Sequence, residues 1–237
     1  YATDQEVRWC PGCGDYAIVR AMQNTMAELQ APPEKTVFIS GIGCAARFPY
    51  YMATYGFHTI HGRAAAIATG TKLANPDLDV WIISGDGDAM SIGGNHLFHV
   101  LRRNVDVQFI LFNNEIYGLT KGQSSPTTLQ GKITSSTPFG KLETKTNPLE
   151  LYLTLGVSFI ASGFSGQPRP LSKLIQQGME HPGFSIVHVQ SPCTTYNDTF
   201  EQLKGSKSKN IQPILWEVPA NHDRTDKNAA FNIAQSP

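Results

Sequence analysis

The stretch Asp79-Val80-Trp81-Ile82-Ile83-Ser84-Gly85-Asp86-Gly87-Asp88 decides the fold. Its first six residues are mostly β-branched or aromatic and lack the alternation of a half-exposed strand, so they read as a strand covered on both faces. The strand stops in a glycine-rich turn carrying two carboxylates. Working outward, Thr36–Ser40 (TVFIS) ends the same way at Gly41, and residues 106–112 (DVQFILF) end at Asn113-Asn114. Residues 157–161 and 184–190 (FSIVHVQ) read as two more strands, the second followed by Ser191-Pro192-Cys193. Helical spacing covers residues 15–30, with Asp15 as the expected cap and Pro32 and Pro33 as the stop. Further helices are expected over 63–74, 91–103, 148–155 and 171–180. Strands alternating with helices predict one parallel α/β sheet with helices on both faces, whose ligands bind beyond the carboxyl ends of the strands. Four of those ends carry chemically unusual residues, and all four open on one edge.

Composition narrows the partners. The chain has 237 residues, 41% hydrophobic and only 16% charged, below the roughly 25% usual in soluble domains. A surface this poor in charge is expected to lie partly against another protein. Nineteen basic residues balance nineteen acidic ones, which argues against nucleic acid, whose binding needs a basic face. No apolar run approaches the about 20 residues of a membrane span, and the opening YATDQEVRW has no signal-peptide character. The expectation is a cytoplasmic chain. Residues 1–203 are expected to form the domain, and 204–237, polar and without clear strands, an extended tail laid over a partner.

Residues 88–112 separate Gly85-Asp86-Gly87 from Asn113-Asn114, enough for one crossover helix and the next strand. The two loops therefore fall side by side. An Asp and an Asn side chain with a nearby backbone carbonyl make a hard oxygen site suited to Mg²⁺ held against a diphosphate. The pattern resembles the thiamine-diphosphate fingerprint, which implies Mg²⁺ ligation by Asp86 and Asn114 side chains and by the Ile116 carbonyl. Gly41-Ile42-Gly43-Cys44-Ala45-Ala46 also matches a dinucleotide-binding loop, but no Asp or Glu follows until Asp77 to hold a ribose.

The four cysteines are Cys10, Cys13, Cys44 and Cys193. A CxxC pair and two cysteines after strands leave none over, and four thiolates suit either Zn²⁺ or a [4Fe–4S] cluster. The pairs His58/His61 and His96/His99 imitate metal-ligand spacing. Only His61 lies in a recognisable motif; the others read as histidines making ordinary hydrogen bonds.

Together WCPGCGDYAI (9–18), GIGCAARFPYY (41–51), HGRA (61–64), GDGDAMSIGGNH (85–96), NNEIYGLTKGQSSPT (113–127) and SPC (191–193) resemble the β subunit of the 2-oxoacid:ferredoxin oxidoreductases, in its 2-oxoglutarate branch. The resemblance implies a thiamine-diphosphate-binding fold and a [4Fe–4S] cluster on Cys10, Cys13, Cys44 and Cys193. It implies thiamine contacts from Ile42, Gly43, Cys44, Ala45, His61, Gly87, Asp88, Gly118 and Leu119, with His61 and Arg47 as catalytic candidates. Arg47 is expected to hold the distal carboxylate of 2-oxoglutarate, with Thr120 and Lys121 as secondary candidates. The implied reaction converts 2-oxoglutarate and coenzyme A to acyl-CoA and CO₂ while reducing ferredoxin. The alternatives are pyruvate or a broad range of 2-oxo acids, a non-oxidative thiamine-dependent decarboxylase subunit, and a zinc-stapled interaction protein. The activating carboxylate of such enzymes comes from an α subunit, so the implied assembly is (αβ)₂ and this chain alone is inactive.

Overall fold

The computed structural model describes residues 1–235. Six parallel strands form one sheet in the order β2-β1-β3-β4-β6-β5. They are β1 (Thr36–Ser40), β2 (Tyr55–His58), β3 (Asp79–Gly85), β4 (Gln108–Asn113), β5 (Phe159–Phe164) and β6 (Ser185–Gln190). The four inner strands are buried almost throughout, as their unbroken apolar sequences require. Side chains alternate across the sheet. Phe38, Trp81, Ile83, Ile110, Phe112 and Val187 face α1 (Asp15–Glu28) and α5 (Pro168–Glu180). Val37, Ile39, Val80, Ile82, Phe109 and Ile186 face α2 (Ala64–Ala74), α3 (Gly94–Arg103) and α4 (Pro148–Thr154). Burying each such side chain contributes about 1.5–3 kcal/mol. The three-layer parallel fold is the expected one.

The structure differs from the sequence reading in four places. Asp15 is not a cap: Gly14 holds the N-cap position without a side-chain bond, and Asp15 is buried, accepting a hydrogen bond from Ser191 Oγ at 2.7 Å. Strand β2 was not expected, because its residues are all exposed at the sheet edge and carry no burial signal. A π-turn over Asp88–Ile92 precedes α3, which delays the helix to Gly94. Finally, the segment after Leu203 is not extended throughout. α6 (Phe200–Lys204) crosses the boundary and α7 (Lys227–Ala234) is a helix capped by the Asp226 side chain. α7 packs on α4, where Asn147 Nδ2 donates to the Ala234 carbonyl at 2.8 Å. No helix among the described residues is long and apolar enough to cross a membrane.

Candidate functional site

Because β1, β3, β4 and β6 are parallel neighbours, the loops carrying Cys44, Asp86, Asn114 and Cys193 share one edge. Asp86 is 1% exposed. Thr127 Oγ1 lies 2.6 Å from its Oδ2 and 2.9 Å from Asn113 Oδ1. Burial pushes the Asp86 carboxyl above its ordinary range; donors from Ser125, Thr127 and the Asn114 backbone pull the other way. Among the described residues no lysine or arginine pairs with it. A desolvated carboxylate with hydroxyl donors and no counter-charge fits a bound divalent cation.

The adjoining turn is held for the same purpose. Asn114 Oδ1 accepts from Ile116 N–H at 3.1 Å, Asn197 Nδ2 donates to the Asn114 carbonyl at 2.9 Å, and Glu115 sits at φ 59°. Thr128 Oγ1 secures the Glu115 carbonyl, and Lys145 pairs with its side chain. The loops of Asp86 and Asn114 thus lie side by side, as their spacing predicts.

Asp88 occupies a different place from its neighbour. Its Oδ1 accepts from Ile42 N–H at 3.1 Å and Gly62 N–H at 2.7 Å, and lies 2.5 Å from His61 Nδ1; Ser84 Oγ donates to Oδ2 at 2.5 Å. A Cβ on Gly41 would fall 1.8 Å from Oδ2. Both oxygens are therefore engaged by the chain itself, and an ionised carboxylate, an acceptor only, has no hydrogen bond to give a diphosphate. Any cofactor contact at 88 is left to the backbone. The same contacts remove the dinucleotide alternative: Asp88 fills the space against Gly41, and Ala45–Tyr51 is a 3₁₀ segment interrupted by Pro49.

Tyr117 covers Gly87, where a Cβ would sit 2.4 Å from the ring, and its hydroxyl donates to the Gly87 carbonyl at 3.0 Å. Ile42 and Gly43 are half-buried, Gly43 at φ 107° with open space beside it, while Ala45 is buried under the loop.

The four cysteines, all free, line one cavity of about 250 Å³ with Arg8, Trp9, Arg47 and Leu119. Three distant segments converge there. Cys13 N–H closes a turn on the Cys10 carbonyl at 3.0 Å, Trp9 Nε1 donates to the Cys44 carbonyl at 2.8 Å, and Cys193 bridges to Asn197. Burial pushes the Cys44 thiol up to about 12, with Asp15, Cys193 and Cys10 adding and Arg47 opposing. Cys13 is also raised, by burial and then by Asp15. Asp15 itself is pushed up to about 6 by burial, against hydrogen bonds from Ser191 and Cys13. Such thiols ionise when a cationic centre binds them. Among the described residues no three Cys, His, Asp or Glu side chains close on a single ion position; the four thiols line the cavity wall.

The two regions meet at Gly118. A Cβ there would lie 3.4 Å from Cys44 Sγ, 3.5 Å from Cys193 Sγ and 3.9 Å from Asn114 Nδ2. The histidine pairs do not form. His58 bonds Ser40 Oγ and the Ala46 carbonyl, both at 3.1 Å, and His99 Nδ1 accepts from Arg102. Arg47 lies in the cavity wall with Nε donating to Tyr51 Oη at 3.2 Å. Sequence reasoning missed Arg8, Thr127 and Asn197. They stand in or beside polar segments without periodicity, and only the fold brings them to the edge.

Residues 41–189 match the family described as thiamine pyrophosphate enzyme, C-terminal TPP binding domain. The chain is 52% identical over 205 residues to the 2-oxoglutarate oxidoreductase subunit KorB of Mycobacterium tuberculosis, covering 86% of this chain and 55% of that one. It is 43% identical over 215 residues to the 2-oxoglutarate synthase subunit KorB of Archaeoglobus fulgidus, covering 89% and 80%. A 2-oxoglutarate:ferredoxin oxidoreductase from Magnetococcus marinus, solved with 2-oxoglutarate, coenzyme A and succinyl-CoA bound, matches at TM-score 0.94 and 42% identity over 100% of this chain and 79% of that one. The chain spans just over half the length of the Mycobacterium relative.

Proposed function

The chain belongs to the β subunits of the 2-oxoacid:ferredoxin oxidoreductases, and from that premise we propose that it is the thiamine- and cluster-binding half of an enzyme acting on 2-oxoglutarate. The reaction converts 2-oxoglutarate and coenzyme A to succinyl-CoA and CO₂, with two electrons passed to ferredoxin. The observation that carries this reading is the junction at Gly118, where a cation-ready carboxylate loop and a four-thiol cavity share one wall.

In this reading Asp86, Asn114 and the Ile116 carbonyl hold Mg²⁺, and Cys10, Cys13, Cys44 and Cys193 hold a [4Fe–4S] cluster. Ile42, Gly43, Cys44, Ala45, His61, Gly87, Asp88, Gly118 and Leu119 surround thiamine diphosphate, Ala45 and Asp88 through backbone. Bound thiamine diphosphate would supply a nucleophilic carbon that makes loss of CO₂ feasible, and a cluster held by the four cysteines would accept electrons one at a time. The residues of this chain position and exclude: the buried Asp86 would hold the cation that a diphosphate needs, and Arg47 would offer a guanidinium to the distal carboxylate. An α subunit supplies the activating carboxylate and, in an (αβ)₂ assembly, covers the exposed Tyr50, Tyr55, Phe57 and Ile60. Residues 1–203 form the catalytic domain, and the segment that follows is tied back onto it through α7 on α4.

The test is anaerobic purification with the native partner, followed by iron, sulfide and zinc analysis and a visible spectrum. About four irons per chain, with bleaching on addition of 2-oxoglutarate and coenzyme A, is the expected result. A colourless protein containing zinc instead would leave the thiamine site and remove the redox function.

A further inference from the structure

The Asp88 carboxylate makes four contacts within the chain. One oxygen receives two backbone N–H groups, from Ile42 and Gly62, and also meets His61 Nδ1 at 2.5 Å. The other receives Ser84 Oγ. Backbone N–H groups only donate, so Oδ1 is occupied as an acceptor and carries no proton itself. The contact with His61 therefore needs the proton on Nδ1. In the neutral ring that leaves the lone pair on Nε2. Among the described residues Nε2 has no protein partner, and the ring stands edge-on to Tyr117 with centroids 6.3 Å apart. Tyr117 in turn is pinned to Gly87.

We propose that Asp88 is a positioning residue that sets His61 as a hydrogen-bond acceptor at Nε2, facing the reactants, while anchoring through the same oxygen the loop that leads to Cys44. The assignment deepens the reading of the site given above and rests on it for what His61 faces. Three loops depend on one buried carboxylate: the one after β1 through Ile42, the one after β2 through His61 and Gly62, and its own after β3. A ligand group meeting His61 must then bring an N–H or O–H donor.

The test uses the full chain in complex with its partner subunit, with ¹⁵N-labelled histidine in this chain only. Long-range proton–nitrogen spectra distinguish protonated from bare imidazole nitrogens, and His61→Gln identifies the His61 signals among the seven histidines. With the ring neutral, wild type should show protonated Nδ1 and bare Nε2. Asp88→Asn should keep this form, because its amide oxygen can still accept from Nδ1 and the two backbone groups. Asp88→Ala should move the ring toward the Nε2–H form, and turnover of 2-oxoglutarate should fall about 10–100-fold, the range for losing such a supporting residue, with a smaller change in KM. Asp88→Asn should recover most of that turnover. A wild-type His61 with bare Nδ1, or an Asp88→Ala spectrum like wild type, overturns the assignment. Should Asp88→Ala not fold, the wild-type and Asp88→Asn spectra decide alone. If thiamine diphosphate fails to bind while His61 shows the expected form, the functional reading falls and the role of Asp88 in setting His61 stands.

Discussion

A buried carboxylate such as Asp86 is costly unless donors or a cation face it. Thr127 supplies a hydroxyl and nothing among the described residues supplies a positive charge. Replacing Asp86 with Ala should weaken Mg²⁺-dependent thiamine diphosphate binding beyond the about 100-fold seen for outer-shell losses, measured by calorimetry. Iron content and visible spectrum should not change, since the thiols stand on other loops. Arg47 offers a different test of specificity. A bidentate charge-assisted contact contributes about 1.5–3 kcal/mol, so Arg47→Met should raise KM for 2-oxoglutarate by about 10–100-fold. KM for pyruvate, which lacks the distal carboxylate, should move much less. An equal rise for both would assign Arg47 to coenzyme A or the partner.

At the scale of elements, the site is a set of short loops that pack closely at particular glycines. Gly62 has φ 71°, and a Cβ there would sit 2.5 Å from Gly93 N and 2.6 Å from Gly93 Cα. The loop after β2 and the π-turn before α3 therefore touch backbone to backbone. Gly62→Ala combines a left-handed backbone, costing about 1–2 kcal/mol, with an overlap that backbone cannot relieve. We expect a loss of about 2 kcal/mol or more in urea unfolding, with displacement of the His61 resonances. Much of this level was legible beforehand. The inner strands follow from apolar runs, and α1 from 3.6-residue spacing. Strand β2 was illegible because an exposed edge strand buries nothing, and α7 because it is a short helix in a polar segment.

Across the whole molecule, a polar network runs from the Asp86 loop into the core. Asn113 Nδ2 meets His188 Nε2 at 3.2 Å, and His188 Nδ1 meets Tyr152 Oη at 3.4 Å. Burial, and then Lys145, lowers the His188 pKa from 6.5 to about 3. The unfolded chain therefore takes up this proton first as the pH falls. Stability from the neutral ring is complete above about pH 6.5 and is lost progressively down to about pH 3, by roughly 1.4 kcal/mol per unit. His188→Gln should flatten the fall of the urea midpoint between pH 7 and pH 5 relative to wild type. An identical slope in both proteins would show that folding does not shift the His188 pKa.

From its residues alone this chain determined the layered parallel sheet, the strand ends that carry chemistry and the identity of the cation and thiol candidates. Apolar period and motif spacing act over a few to thirty residues, which is the range such features span. The tertiary structure decided what pairs across that range. Asp15, read as a cap, is instead buried against Ser191, 176 residues away. Thr127 reaches Asp86 and Gly118 lies against the Cys44 and Cys193 sulfurs only because parallel strands bring their ends to one edge. Asp88, adjacent to the glycine that follows Asp86, turns to tie three loops together, because its neighbours in space are backbone N–H groups that no sequence pattern marks.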